Sequence, residues 1–140
     1  MAITCRPSHA MTTQNKPDID SRKIREILCE RKKEVAVSLK TCAHCALCAD
    51  SCFLYRCRDN APQYMPSHKF INSIGTIYKK KGKVTRAELE EIREIVWKRC
   101  VLCTRCYCPL GIDIPALIAL ARRICRSQGV VHDFEKEKKG

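Results

Sequence analysis

The sequence has no continuous apolar stretch of the roughly 18 residues that a helix needs to cross a bilayer. It also lacks the apolar core of a secretory signal peptide near its start, because residues 12–16 are all polar or charged. We therefore expect a cytoplasmic protein without a membrane span of its own. In a reducing cytosol, closely spaced cysteines are more often metal ligands than disulfides.

An alternating pattern of apolar and polar residues, typical of a half-buried β-strand, is missing over any useful length. Apolar residues instead recur at helical spacing in residues 21–39, just after residue 52, in residues 66–78, and in two stretches that begin at Thr85 and Asp113. Thr85 and Glu88 have the spacing of a capping box, and Asp113 is a preferred N-cap residue. We predict an all-α domain of about five helices over residues 20–130, with two cysteine-rich loops between them. A flexible tail at 1–19 and a charged tail at 131–140 would flank it.

Aromatic residues are also scarce, at 6% of the chain, whereas 27 Lys and Arg outnumber 15 Asp and Glu for a formal net charge of +12. Such a charge suits an acidic protein partner, an anionic membrane face or a nucleic acid. A zinc-stabilised, basic nucleic-acid-binding module is therefore the alternative function. Too few aromatics lie among the basic residues for base stacking, so we expect no nucleic-acid partner.

Cysteine is frequent for a chain of this length, with 12 residues, and the first run of four follows the pattern C-x2-C-x2-C-x3-C. This is the spacing of bacterial ferredoxins, in which three thiolates of one tight loop bind three irons of a [4Fe–4S] cube. The fourth cysteine then ligates the other cluster. A zinc site typically uses two separate pairs of ligands, so iron–sulfur is the stronger interpretation. The run consists of Cys42, Cys45, Cys48 and Cys52.

The second run repeats C-x2-C-x2-C, but its last cysteine follows after one residue instead of three, and Pro109 comes next. The C-P ending still matches the ferredoxin pattern, although two residues of the turn are missing. We predict two [4Fe–4S] clusters. The first would be held by Cys42, Cys45, Cys48 and Cys108, and the second by Cys100, Cys103, Cys106 and Cys52.

Four cysteines remain outside these sets. Cys57 is the alternative to Cys108 as fourth ligand of the first cluster, but we expect it to be a semi-exposed free thiol. An iron left with three cysteine ligands would have an open site for catalysis, which is the enzyme alternative. Cys29 and Cys125 lie in amphipathic segments and are predicted to be buried, and Cys5 lies in the tail. His44, Arg99 and Arg105 lie in or beside the runs, where each would tune a cluster or face solvent.

The two runs, their helical context and the segment Cys108-Pro-Leu-Gly-Ile-Asp-Ile-Pro-Ala-Leu resemble the α-helical ferredoxin domain of HdrC, a component of heterodisulfide reductase. Similar domains occur in the iron–sulfur proteins of glycolate oxidase, anaerobic glycerol-3-phosphate dehydrogenase and succinate dehydrogenase. They also occur in membrane redox complexes of sulfate reducers, which residues 42–70 resemble. The resemblance covers about residues 25–129. The chain has no Cys-Cys-Gly motif, which marks the catalytic domain often paired with such ferredoxins.

The resemblance implies a non-catalytic electron-transfer subunit of an oxidoreductase complex, which relays single electrons through its two clusters. One cluster would face a flavoprotein. The other would face a heterodisulfide-reductase-like Cys-Cys-Gly subunit or a quinone-linked membrane subunit, so any membrane association would be through that partner. The cofactor supplies the redox chemistry, and the protein sets its orientation and potential.

Overall fold

The computed structural model describes residues 19–133, and within them the chain is helical without a β-strand. This confirms the predicted all-α fold. Two short 3-10 helices, Leu47–Ser51 and Pro62–Tyr64, and one π-helical turn, Glu94–Lys98, accompany seven α-helices. These are α1 (Ser21–Glu30), α2 (Lys32–Thr41), α3 (Phe53–Cys57), α4 (Pro66–Asn72), α5 (Ile74–Lys79), α6 (Arg86–Arg93) and α7 (Ile114–Ser127).

The two predicted tails, 1–19 and 131–140, lie almost entirely outside the described residues, and so does Cys5. Between residues 19 and 133, none of the helices combines the length and the apolar character needed to span a bilayer.

The predicted helix starts are present, and side chains cap them. The Asp20 carboxylate accepts hydrogen bonds from the Arg22 and Lys23 backbone N–H groups, at 3.1 and 3.2 Å, and begins α1. The Thr85 hydroxyl accepts from the Glu88 N–H, while the Glu88 carboxylate accepts from the Thr85 N–H, which completes the capping box. Asp113 caps α7 in the same way through the Ala116 N–H. Each cap satisfies backbone donors that the first helical turn leaves unpaired.

Two of the predicted helices are divided in the structure. The first breaks at Arg31, whose N–H bonds to the Leu28 carbonyl three residues back, and continues as α2. The segment from Pro66 breaks at Ser73, which is fully buried and has φ −108° and ψ −88°. The Ser73 hydroxyl donates to the Lys69 carbonyl at 2.6 Å. A serine side chain that bonds to the carbonyl four residues back often bends a helix.

Helix α7 is the centre of the fold, since α1, α4, α5 and α6 all pack against it. Its apolar face, which includes Leu117, Ala121 and Ile124, is fully buried. The same continuous core includes Cys48 and Cys100, so the two cysteine loops are packed onto the helices rather than projecting from them. The cysteine-rich region is therefore part of the core that stabilises the fold.

We expect the Thr85→Ala substitution to lower the free energy of unfolding by about 1 kcal/mol, because it removes one half of the capping box. Urea unfolding of the anaerobic protein, followed by far-UV circular dichroism, measures the change. Thr85→Ser keeps the hydroxyl and is the matched control. Equal stability of the alanine and serine variants would contradict this role of the cap.

Candidate iron–sulfur site

Two small cavities of similar size lie where the cysteine loops meet the helices. Each cavity is lined by four cysteines, three from one run and one from the other. Cys42, Cys45, Cys48 and Cys108 line the first cavity, and Cys52, Cys100, Cys103 and Cys106 line the second. The structure thus brings together the two predicted ligand sets, and the binding of a cluster by each set remains a prediction.

The two cysteine loops have the same backbone conformation at matching positions. His44 and Leu102, which precede the second cysteine of each run, have φ values of +54° and +56°. Ala46 and Thr104, which follow that cysteine, have φ values of +63° and +62°. The repeated C-x2-C-x2-C spacing is therefore accompanied by a repeat of loop geometry.

These four left-handed residues are costly, because none of them is glycine. A left-handed conformation at a non-glycine residue costs of the order of 1–3 kcal/mol and persists only where the surroundings enforce it. Backbone that alternates between right- and left-handed residues points successive N–H groups into one concavity, which binds anions and occurs at many Fe–S sites. A [4Fe–4S] cluster held by four thiolates is negatively charged. The cysteines and the backbone of the two loops are therefore suited to bind a cluster of this kind.

A serine joins the two loops between the cavities. The Ser51 hydroxyl donates to the Cys48 carbonyl at 2.7 Å and accepts from the Tyr107 N–H at 3.0 Å. Ser51 immediately precedes Cys52, and Tyr107 lies between Cys106 and Cys108. The crossing of the two runs is thus held by hydrogen bonds at the point where the fourth cysteine of each run leaves its own loop.

The shortened second run still delivers Cys108 to the first cavity. A turn follows directly, in which the Gly111 N–H bonds to the Cys108 carbonyl at 3.1 Å. Gly111 has φ +80°, a conformation that glycine adopts without steric cost. Cys57, by contrast, is exposed and lines neither cavity, as expected of a free thiol. The geometry therefore favours Cys108 over Cys57 as the fourth ligand.

The other described cysteines lie away from the cavities. Cys125 is fully buried, as predicted, and burial raises the pKa of its thiol to about 12. Cys29 is only half-buried against the core, which differs from its predicted burial.

The thiols of the second cavity affect one another electrostatically. Burial, followed by the neighbouring Cys100, raises the pKa of the Cys106 thiol to about 12, while Lys69 acts in the opposite direction and Cys103 and Cys52 add to the rise. The Cys106 thiol therefore holds its proton at neutral pH. Metal binding must displace that proton, which makes occupancy of the site depend on pH.

Sequence reasoning missed two basic residues at the second cavity. Lys69, on α4, is only 2% exposed and donates from Nζ to the Cys52 sulfur at 3.4 Å. Arg122, on α7, donates to the Val96 and Cys100 carbonyls at 2.8 and 2.7 Å and so holds the entry to the second loop. Its guanidinium also lies 5.4 Å from the centre of the Trp97 ring, which is buried in the core. Both residues lie beside apolar stripes in the sequence, where a basic residue normally faces solvent, so no sequence signal marked them.

The residues predicted to tune a cluster lie in more open positions. His44 lines the first cavity but is exposed. Arg99 is half-buried and Arg105 is exposed, and neither lines a cavity.

No group of three or more His, Cys, Asp or Glu side chains in residues 19–133 converges as a single metal ion would require. Tetrahedral zinc with four thiolates needs its sulfurs about 3.8 Å apart, given a Zn–S distance of about 2.3 Å. In a cube, each thiolate binds a different iron, so the sulfurs do not have to meet at one point.

We expect Ala46→Val to reduce the stability of the protein by about 1–3 kcal/mol and to lower its iron content, because a β-branched residue at φ +63° is strongly disfavoured. Ala46→Gly is the matched control and should keep the iron, since glycine adopts this conformation freely. Iron analysis and thermal unfolding of both variants measure the effect. Full iron content and unchanged stability in the valine variant would contradict it.

A match to a family model agrees with this geometry. Residues 38–112, more than half of the chain, match the family model described as the 4Fe-4S dicluster domain. No curated protein and no solved structure gives a match. The matched segment contains all eight cysteines that line the two cavities. The chain therefore belongs to the 4Fe-4S dicluster domain family, as an all-α iron–sulfur protein.

Proposed function

We propose that the protein is an electron-transfer subunit that relays single electrons between partner proteins through two [4Fe–4S] clusters, one in each cavity. The observation that carries the proposal is the sorting of eight cysteines from two distant runs into two sets of four. The clusters supply one-electron chemistry when bound, and the chain supplies ligands, orientation and the local charge that sets their potentials.

The short separation of the two sites supports a relay. Cys106 lines the second cavity and Cys108 the first, and their Cα atoms can be at most about 7 Å apart, since only one residue lies between them. The Ser51–Tyr107 hydrogen bond keeps the two loops together at this point. An electron at one site therefore has a short, rigid path to the other.

Each cavity has an inner and an outer side. Cys48, Cys52 and Cys100 are buried on the core side, whereas Cys45 of the first cavity and Cys103 of the second are exposed. Each set thus has one ligand at the protein surface, where an external donor or acceptor can approach. This arrangement suits an electron entry at one cavity and an exit at the other.

Exposed apolar side chains surround these outer cysteines. Leu110 lines the first cavity, Phe53 and Val101 line the second, and Leu47 and Tyr107 are sequence neighbours of cavity-lining cysteines. Each is 48–59% exposed. Apolar residues gathered at a functional site are typical of a protein–protein contact surface. They support partner docking over the cavities, and the basic net charge favours an acidic partner.

The resemblance of the cysteine runs to the HdrC ferredoxin domain suggests the partners. We propose a flavoprotein on one side and a Cys-Cys-Gly subunit or a quinone-linked membrane subunit on the other, in a cytoplasmic setting that keeps the thiols reduced. Substrate chemistry at an open iron is the weaker alternative, because Cys108 lines the first cavity as a fourth cysteine.

Anaerobically prepared protein should be brown and contain about eight irons and eight acid-labile sulfides, because each cube has four of each. We expect Cys108→Ser to lower the iron content or to change the electron paramagnetic resonance signal of one cluster. Cys57→Ser, the matched control, should leave both unchanged. Colourless protein with stoichiometric zinc would instead support the nucleic-acid-binding alternative.

The reverse result for the two variants would also be decisive. Loss of iron in Cys57→Ser together with full iron content in Cys108→Ser would remove Cys108 from the ligand set and leave Cys57 in its place.

Purification of the native complex under anaerobic conditions should recover a flavin-containing or Cys-Cys-Gly subunit with this protein. A Val101→Asp substitution, on the apolar surface beside Cys103, should reduce that recovery without changing the iron content, because it places a charge in the contact. Lys33→Asp, on the exposed side of α2, is the control for a new surface carboxylate. Equal recovery with all three proteins would argue against this docking surface.

A further inference from the structure

We infer that the buried Lys69 raises the reduction potential of the second site, formed by Cys52, Cys100, Cys103 and Cys106, above that of the first. This site is then the one at which an electron comes to rest within the protein. The inference rests on the proposed function and adds the order of the two sites to it.

The environment of Lys69 is unusual for a lysine. Its side chain is 2% exposed, and Nζ donates to the Cys52 sulfur at 3.4 Å. Within residues 19–133, no carboxylate lies within ion-pair distance of it. A buried ammonium without a negative partner is strongly unfavourable, so buried lysines are normally paired.

A neutral Cys52 thiol does not supply that negative partner, whereas a cluster-bound thiolate does. As a thiol, Cys52 is within reach of the Tyr64 carbonyl, at 3.6 Å, and can donate to it. As a thiolate it has no proton to donate and becomes an acceptor for Lys69. The buried lysine is thus matched to an anionic group at the second site.

The first cavity has no equivalent charge. Its lining residues include no lysine, arginine or carboxylate, whereas Lys69 lines the second cavity. In residues 19–133, two hydrogen bonds run from a nitrogen donor to the sulfur of a predicted ligand. Both sulfurs belong to the second site. The bonds run from Lys69 Nζ to Cys52 and from the Leu102 N–H to Cys100, each at 3.4 Å.

These differences all raise the reduction potential of the second site relative to that of the first. Reduction adds one electron, and so one negative charge, to a cluster that with its thiolates already carries about −2. A positive charge and N–H donors at the sulfurs stabilise the reduced form and raise the potential. With a cluster in each site, the second would therefore be the more easily reduced of the two.

The orientation of the protein in a complex follows from this order. The electron donor would contact the outer side of the first cavity, near Cys45. The acceptor would contact the outer side of the second, near Cys103.

Potentiometric titration of the anaerobic, iron-loaded protein, monitored by electron paramagnetic resonance, tests the inference. We expect two one-electron potentials, of which Lys69→Met lowers the higher one and leaves the other in place. The expected change is at least tenfold in the ratio of reduced to oxidised cluster at fixed potential, which is 59 mV for one electron. Lys69→Arg, which keeps the charge, should retain most of the wild-type value.

Two further variants identify the site and control for net charge. Cys103→Ser changes a ligand of the second site alone, so the signal that it alters belongs to that site. Lys40→Met removes a positive charge from an exposed position two residues before Cys42, and it should move both potentials less than Lys69→Met does. Methionine should be tolerated at position 69, because exchange of a buried charge for an apolar residue of similar volume is often neutral or stabilising.

The outcomes separate this inference from the proposed function. Fewer than two clusters in the wild-type protein would contradict the proposed function itself. Two clusters whose potentials do not respond to Lys69→Met, or a shift of the lower potential only, would overturn the role of Lys69.

Measurement of the iron content of each variant shows whether the second cluster has assembled. If Lys69→Met loses the second cluster, Lys69→Gln is titrated in its place. Loss of that cluster in both neutral variants but not in Lys69→Arg supports a charge that balances it. Loss in all three variants would overturn the inference.

Discussion

The exchange of one cysteine between two loops is the constraint on which the structure depends. Cys52 leaves the first loop to complete the second set, and Cys108 leaves the second loop to complete the first. Neither loop can therefore form a site alone, and both must be placed by the helices before either set of four exists. Binding of a cluster to such a site contributes directly to folding, because the unfolded chain has no comparable site.

This coupling accounts for the way the small domain is built. The core is centred on α7 and continues into the cysteine loops through Cys48 and Cys100. The loops contain strained residues, among them His44 and Leu102, whose conformation the surrounding packing has to maintain. A small domain often needs a metal or another cross-link to be stable, and here the prospective metal sites lie at the end of the core. The strain and the site belong to the same concavities, so a group bound there would offset the cost of forming them.

Charge is distributed unevenly between two loops of similar shape. The second loop is held by the Arg122 guanidinium at the Cys100 carbonyl, and its cavity is lined by the Lys69 ammonium. The first cavity has an apolar lining apart from its cysteines, Ser67 and the exposed His44. A repeated loop geometry thus carries two different electrostatic environments. Two chemically identical groups in such environments differ in energy, which is what a directional relay requires.

Local sequence signals predicted the features that depend on neighbouring residues. The cysteine spacing, the all-α class and the caps at Thr85 and Asp113 all arise within one or two turns of the chain, so they are visible without knowledge of the fold. The pairing of three cysteines with one from the other run followed from ferredoxin spacing, and the structure groups the same residues. The division of the helix at Ser73 was not predicted, because a serine has this effect only in some helices.

The sequence by itself determined the number and spacing of the thiols, the helical class and the basic charge, because these are properties of composition and of short segments. Only the tertiary structure decided that Cys108 rather than Cys57 reaches the first cavity and that Lys69 is buried against Cys52. Both outcomes depend on how α4 and α7 pack against loops that are distant in the chain. Burial and contact are set by that packing, and no local pattern of residue types encodes them.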